Sequence, residues 1–261
     1  MSLSIFQVDA FASRLFEGNP AAVVPLNEWL PDDVMQSIAA ENNLAETAFF
    51  VPEDGGFRIR WFTPAVEVKL CGHATLASAF VLYEKLHWDQ PEVVFQSLSG
   101  PLAVVKSGGL LTLDFPAQPG VACDAPDALV RGLGVQPQEC LASEDYIVVL
   151  ESEQKLVDLE PDMAALMELD LRGVAVTAPG EHKDFVVRFF GPRCGIPEDP
   201  VTGSAYTQLV PYWAQRLGRD RMEARQMSAR GGDVRCELAG KRVKISGSAV
   251  LFLEGEIQIQ G

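Results

Sequence analysis

The feature that most constrains this chain is an internal echo. The stretch RIRWFTP reappears as VVRFFGP, with Arg60, Phe62 and Pro64 returning as Arg188, Phe190 and Pro192 about half of the 261 residues later. A few residues beyond each stretch, a run of small residues opens an apolar helix: CGHATLASAF in the first half and PVTGSAYTQL in the second. Three matched positions alone could be coincidence. With matched context on the C-terminal side, they indicate an internal duplication, two similar α/β halves each built on a buried central helix.

The periodicity of the rest agrees. FRIRWFTP (57–64) alternates apolar Phe57, Ile59 and Trp61 with Arg58 and Arg60, as a half-buried strand does. LLTLDFP (110–116), DYIVVLE (145–151), FVVRFFGP (185–192) and RVKIS (242–246) read as further strands. PDDVMQSIAAENN (31–43) opens with a proline and two acids, the signature of a helix N-terminus. ATLASAFVLYEKLH (74–87) is apolar nearly all round and predicts a helix inside a domain. PDMAALMELD (161–170) and TGSAYTQLVPYWAQRLG (202–218) are the other predicted helices, with a kink expected at Pro211, which has no backbone donor. The turn-rich PAQPGVACDAPD (116–127) marks the break between halves. The expected division is 1–118, completed by the last strand 249–261, and 119–248.

Composition removes several functions. The net charge of −15, from 36 acidic and 21 basic residues, argues against nucleic acid and anionic membranes as partners. No stretch approaches the apolar length of a membrane span, and MSLSIFQVDAF lacks the pattern of a signal peptide. Five cysteines, none spaced C-x-x-C, suggest free thiols in a reducing, cytoplasmic compartment. The three histidines (73, 87 and 182) have no pair at i, i+4, so no metal is expected. A thiol or metal hydrolase also lacks a G-x-S-x-G elbow.

Small residues in a helix's first turn leave backbone N–H groups open, and the helix dipole favours an anion there. Gly72 and Gly203 let a ligand approach each helix start closely. If the halves face one another, both starts can serve one cleft. The competing interpretation is ordinary capping by Thr202 or Ser204. Around the starts stand acid–base candidates. Glu46, in NLAETAFF, is either exposed or buried with a raised pKa, which would suit proton transfer at carbon. Asp199 precedes the second start and is a turn residue or a ligand-binding acid. His73 is a packed core residue or a hydrogen-bond donor to a ligand.

Several stretches together resemble the PhzF-like phenazine biosynthesis family, within the diaminopimelate epimerase fold. They are VDAFAS and FEGNPAAVV (8–24), NLAETAFF (43–50), RIRWFTPAVEVKLCGHATLASA (58–79), EDPVTGSA (198–205) and ISGSAVLFLEGEI (245–257). The resemblance implies an α/β (α+β) fold of two pseudo-symmetric domains, each a curved, mostly antiparallel sheet around a central helix, with the active site between them. It also implies a homodimer and a cofactor-independent isomerase acting on a small carboxylate. The family's proton-carrying glutamate falls on Glu46, with Gly72, His73, Asp199, Gly203 and Ser204 as binding residues. Asn19, in the matched FEGNPAAVV, is a further candidate. The epimerase branch uses two cysteines as acid and base; Cys71 occupies the first position, but Pro200 occupies the second and cannot move a proton. That departure favours one-base proton transfer through Glu46, with Cys71 a small buried residue. A Cys71-dependent amino acid racemase or epimerase and a non-catalytic small-acid-binding protein are the alternatives.

Overall fold

The computed structural model describes residues 1–259. The chain divides into two compact units, one formed by Met1–Asp114 with the chain from Ser246 onward, the other by Phe115–Ile245. Within the described residues the last strand is Ala249–Gln258; residues 260 and 261 of the expected 249–261 segment lie outside them.

Among the described residues six α-helices run in chain order: α1 (Asp32–Asn42), α2 (Gly72–Glu84), α3 (Asp127–Leu133), α4 (Glu153–Val157), α5 (Met163–Leu166) and α6 (Gly203–Leu217). α2 starts two residues before the predicted 74, because Cys71 adopts extended backbone and its carbonyl accepts from Thr75 N–H. The predicted 161–170 helix shrinks to α5. Asp162 caps it, accepting from Ala164 and Ala165 N–H, and the turn that follows closes as Leu169 N–H bonds to the Leu166 carbonyl.

The duplication is written in the strand pairing. In the first unit, Asn19–Pro25 pairs parallel with Glu46–Glu53, which pairs antiparallel with Gly56–Phe62. That third strand takes the short Glu67–Val68 antiparallel and Glu92–Ser97 parallel, and Glu92–Ser97 then pairs antiparallel with Gly100–Ser107. In the second unit the same order recurs through Tyr146–Val149, Val174–Pro179, Phe185–Gly191, Ile196–Asp199, Arg221–Gln226 and Gly232–Ala239. The first unit's sheet is completed by Ser2–Ala10, which lies antiparallel between Asn19–Pro25 and Ala249–Gln258.

The echoed arginines explain why that motif recurs. Arg60 grips Glu67 with two hydrogen bonds of 2.7 Å, and Arg188 grips Glu198 with bonds of 2.8 and 3.0 Å. Each guanidinium also lies over the phenylalanine two residues along its own strand, Phe62 and Phe190. In both units this planar fork fastens the short strand that leads to the central helix, a geometry that lysine cannot reproduce.

Each central helix is buried as its apolar sequence requires. α2 packs on Ser2–Ala10, Asn19–Pro25 and Glu46–Glu53, and Ala74, Ala77 and Ala79 allow the close approach. α6 buries Tyr206, Leu209, Val210 and Trp213; the Trp213 ring stacks on Phe185 and its indole N–H donates to Thr177 Oγ1 at 3.0 Å. α6 runs on through Pro211. The missing N–H leaves the Thr207 carbonyl without its helical donor, and the backbone N–H of Gln118 fills the gap at 2.9 Å. No helix among the described residues is long and apolar enough to cross a membrane.

Candidate active site

Three elements of the first unit deliver polar side chains to one point. Asn19 and Glu46 stand at the starts of neighbouring parallel strands, where Ala21 faces Glu46, and His73 occupies the first turn of α2. Gly18 makes the turn into Asn19 with φ of +66°, and a Cβ there would meet the Ala10 carbonyl oxygen at 2.1 Å, so no other residue fits. Asn19, Glu46, Cys71 and His73 are all buried.

The contacts form a chain. His73 Nε2 lies 3.1 Å from Glu46 Oε2, an ion-pair distance without straight hydrogen-bond geometry. On the other side of the ring, Nδ1 lies 3.2 Å from Asn19 Nδ2 and 3.6 Å from Cys71 Sγ. Burial pushes the Glu46 carboxyl up, but the His73 charge and the polar contacts of His73 and Cys71 outweigh it, and Glu46 sits below its ordinary value. Burial alone would lower His73, yet its contacts with Cys71 and Glu46 hold it well above the ordinary histidine value. Burial first, and the Glu46 charge second, push the Cys71 thiol up to about 11. At neutral pH the cluster is therefore carboxylate, imidazolium and intact thiol. The sequence-based expectation that a buried Glu46 has a raised pKa is corrected here: a cation stands directly beside it.

Ligand atoms of Glu46, Cys71 and His73 all lie within 4.8 Å of one another, a set able to hold a metal ion. Histidine spacing alone does not show it, because Glu46 comes from a strand distant in sequence from the helix start that carries Cys71 and His73.

The second unit arranges its helix start differently. Thr202 does not cap α6; its hydroxyl donates to Asp199 Oδ2 at 2.5 Å. Buried Gln226 locks the pair, accepting from Thr202 N–H at 2.9 Å and donating to the Asp199 carbonyl at 2.8 Å. Ser204 belongs to a second network: its Oγ accepts from Arg172 at 3.0 Å, and Arg172 clasps the fully buried Asp145 at 2.9 and 2.5 Å. Gln208 completes it, donating to Asp145 Oδ2 at 2.6 Å and accepting from Asp145 N–H at 3.1 Å. Gly203, the first residue of α6, is buried.

The structure thus brings Asn19, Glu46, Cys71, Gly72 and His73 together in one unit, and Asp199, Gly203 and Ser204 around one helix start in the other. Sequence reasoning missed Asp145, Arg172, Gln208 and Gln226. One signal was available: Gln208 follows Ser204 by one helical turn and so shares its face.

The sequence matches the family described as "Phenazine biosynthesis-like protein" over residues 8–255. It is 53% identical to an uncharacterized isomerase of Pseudomonas aeruginosa over 259 residues, covering 99% of this chain and 100% of that one. Among solved structures, a phenazine biosynthesis protein of the PhzF family from Enterococcus faecalis superposes with a TM-score of 0.97 at 46% identity, covering 99% of this chain and all of that one. A hydroxyproline epimerase from Agrobacterium vitis, at 10% identity and a TM-score of 0.63, shares the fold alone over 98% of this chain and 92% of its own.

Proposed function

The chain belongs to the phenazine biosynthesis-like, PhzF-like family and is an isomerase of the diaminopimelate epimerase-like fold, and from that premise we propose that it moves a proton on a small carboxylate or amino-acid-like substrate through one glutamate, Glu46, without a cofactor. The observation that carries the reading is the buried ion pair between Glu46 and His73 at 3.1 Å. A general base must be unprotonated before it can act, and the imidazolium keeps this carboxyl so despite burial.

In the proposed step Glu46 takes a proton from an activated carbon and returns it to another atom of the same conjugated system. The negative charge then passes from the carboxylate to the substrate while His73 stays cationic nearby. A charge already in place, in a site screened from water, stabilises that shift without reorganisation. Asn19 follows the ring: a neutral Nδ1 accepts from its amide N–H, and a protonated Nδ1–H needs its amide oxygen instead, half a turn of the same group. Cys71, its proton held to about pH 11 by burial, serves as a weak hydrogen-bond partner of His73 rather than as a base. Backbone N–H groups at Gly72 and His73, together with Asp199, Gly203 and Ser204 of the second unit, are assigned to substrate binding. The same reading places the enzyme in the cytoplasm as a homodimer, which light scattering of the purified protein tests.

The decisive experiment screens small amino and carboxylic acids in D₂O by mass spectrometry. Wild-type protein should place deuterium at a non-exchangeable carbon of its substrate, and Glu46→Gln, with its fold intact by circular dichroism, should not. Retained exchange in that variant sinks the assignment.

A further inference from the structure

Cys123 and Cys140, both in the second unit, have no part in the proton-moving cluster. Their sulfurs lie 3.7 Å apart, with the Cys123 thiol donating to Cys140 Sγ. The register explains the closeness. Val121–Ala122 pairs antiparallel with Glu139–Ala142 so that Leu141 faces Ala122 and Ala142 faces Val121. One step further along the ladder, Cys123 faces Cys140, and its backbone N–H donates to the Cys140 carbonyl at 3.0 Å. Two cysteines directly opposed on antiparallel strands have their Cβ atoms about 4.5–5.5 Å apart, within a small adjustment of the roughly 3.5–4.5 Å that a disulfide needs. Small rotations about the side chains replace the S–H···S contact with a bond.

We propose that Cys123 and Cys140 are a modification site at which a peroxide-class oxidant forms a reversible cross-strand disulfide. Cys123 is half-buried and Cys140 buried, so the oxidant meets Cys123 first. The Cys123 sulfur attacks the peroxide, the O–O bond breaks, and one water leaves with a sulfenic acid on Cys123. Cys140 then attacks that sulfur, the S–O bond breaks, the S–S bond forms and a second water leaves. Two thiols have lost two electrons and the peroxide has gained them. Burial, then the hydrogen bond from Cys123, push the Cys140 thiol up to about 12, so the second step runs faster as pH rises.

The bond would fasten a strap that the fold already prepares. The segment from Ala117 to Cys123 is docked on α6 through the Gln118 N–H to the Thr207 carbonyl that Pro211 leaves open. The Thr207 hydroxyl donates to Gln118 Oε1 at 2.8 Å, and the Ser143 hydroxyl donates to the Gln118 carbonyl at 3.3 Å. A cross-link at Cys123 closes the far end of that strap onto the Glu139–Ala142 strand.

The test treats the full chain with hydrogen peroxide, blocks remaining thiols with iodoacetamide, and maps peptides without reductant. The expected product is a linked pair of peptides carrying Cys123 and Cys140, about 2 Da lighter than their sum and separated again by dithiothreitol. Amide exchange through 118–123 should slow on oxidation and recover on reduction. Cys123→Ser should abolish the linked pair, while Cys194→Ser, which removes the exposed thiol, should leave it unchanged. Recovery of Cys123 and Cys140 as separately alkylated peptides overturns the proposal. So does a sulfinic acid on Cys123 with Cys140 still alkylated, or oxidation confined to Cys194.

Discussion

At the start of α2, Glu46, Cys71 and His73 meet in one buried cluster where a proton has several places to reside. At the start of α6, Asp199 and Ser204 are held by Thr202, Gln226 and Arg172, in networks whose protons have settled positions. The scaffold beneath is the same: identical strand order, and an arginine–glutamate fork fastening the short strand before the helix. A duplicated fold has therefore kept its mechanical parts in both copies and let the residues at the helix starts diverge. One start gathers titratable groups, to which the proposed function gives the proton transfer, and the other holds its groups still.

The sharpest way to break this contrast is Glu46→Gln, which keeps size and polarity but removes the base. Deuterium exchange into substrate should fall by about 10²–10⁴-fold, while Ser204→Ala should raise KM with a far smaller effect on kcat. Equal losses of kcat in the two variants would erase the distinction. Next comes Asp145→Ala, which strands Arg172 and Gln208 without their shared partner; urea denaturation should show a loss of roughly 3 kcal/mol. The forks should be nearly interchangeable. Glu67→Gln and Glu198→Gln should each cost about 1–2 kcal/mol at neutral pH, and a large difference between them would show that the two copies carry load unequally.

The pH dependence of stability separates the units further. Glu46 lies below its ordinary 4.5, so its contribution is complete above that value and lost as pH falls through its lower folded pKa. His73 lies above its ordinary 6.5, so its contribution is complete below that value and lost as pH rises through its higher folded pKa. The pair thus stabilises most between 4.5 and 6.5. Urea midpoints of wild type should decline from that window toward alkaline pH, and the alkaline part of the decline should disappear in His73→Gln. The smallest effect belongs to Cys71→Ala, which should change turnover by no more than about tenfold; complete loss would return the proton to the thiol.

Much of this was legible in the sequence because the duplication leaves marks that survive divergence. Arg60 and Arg188 recur since no other side chain forks a carboxylate and covers a ring together, and the two apolar helices announce their burial directly. The site was legible in part. Glu46 stands out as an acid before an apolar strand, but its charge state depends on His73, which is distant in sequence and near only once α2 packs on the sheet. Asp145 and Arg172 gave no signal at all. An aspartate before a strand and an arginine after a short helix look like surface residues until Gln208 and Ser204 arrive from α6. Pro211 predicted a kink inside one helix, and α6 does run through it as one helix, with a donor from a different segment replacing the lost one.

One pairing described above also fixes an order of assembly. Ser2–Ala10 leaves the ribosome long before one of its two neighbours, Ala249–Gln258. The second unit, inserted between them, has all its strands by Ile245 and can fold as the chain is still being made. The first unit must wait, its Ser2–Ala10 strand exposing an edge, until Ala249–Gln258 has been delivered. The Glu46, Cys71 and His73 cluster sits in the unit that closes last, so a product truncated before Ala249 would keep a well-folded second unit and have no finished first one.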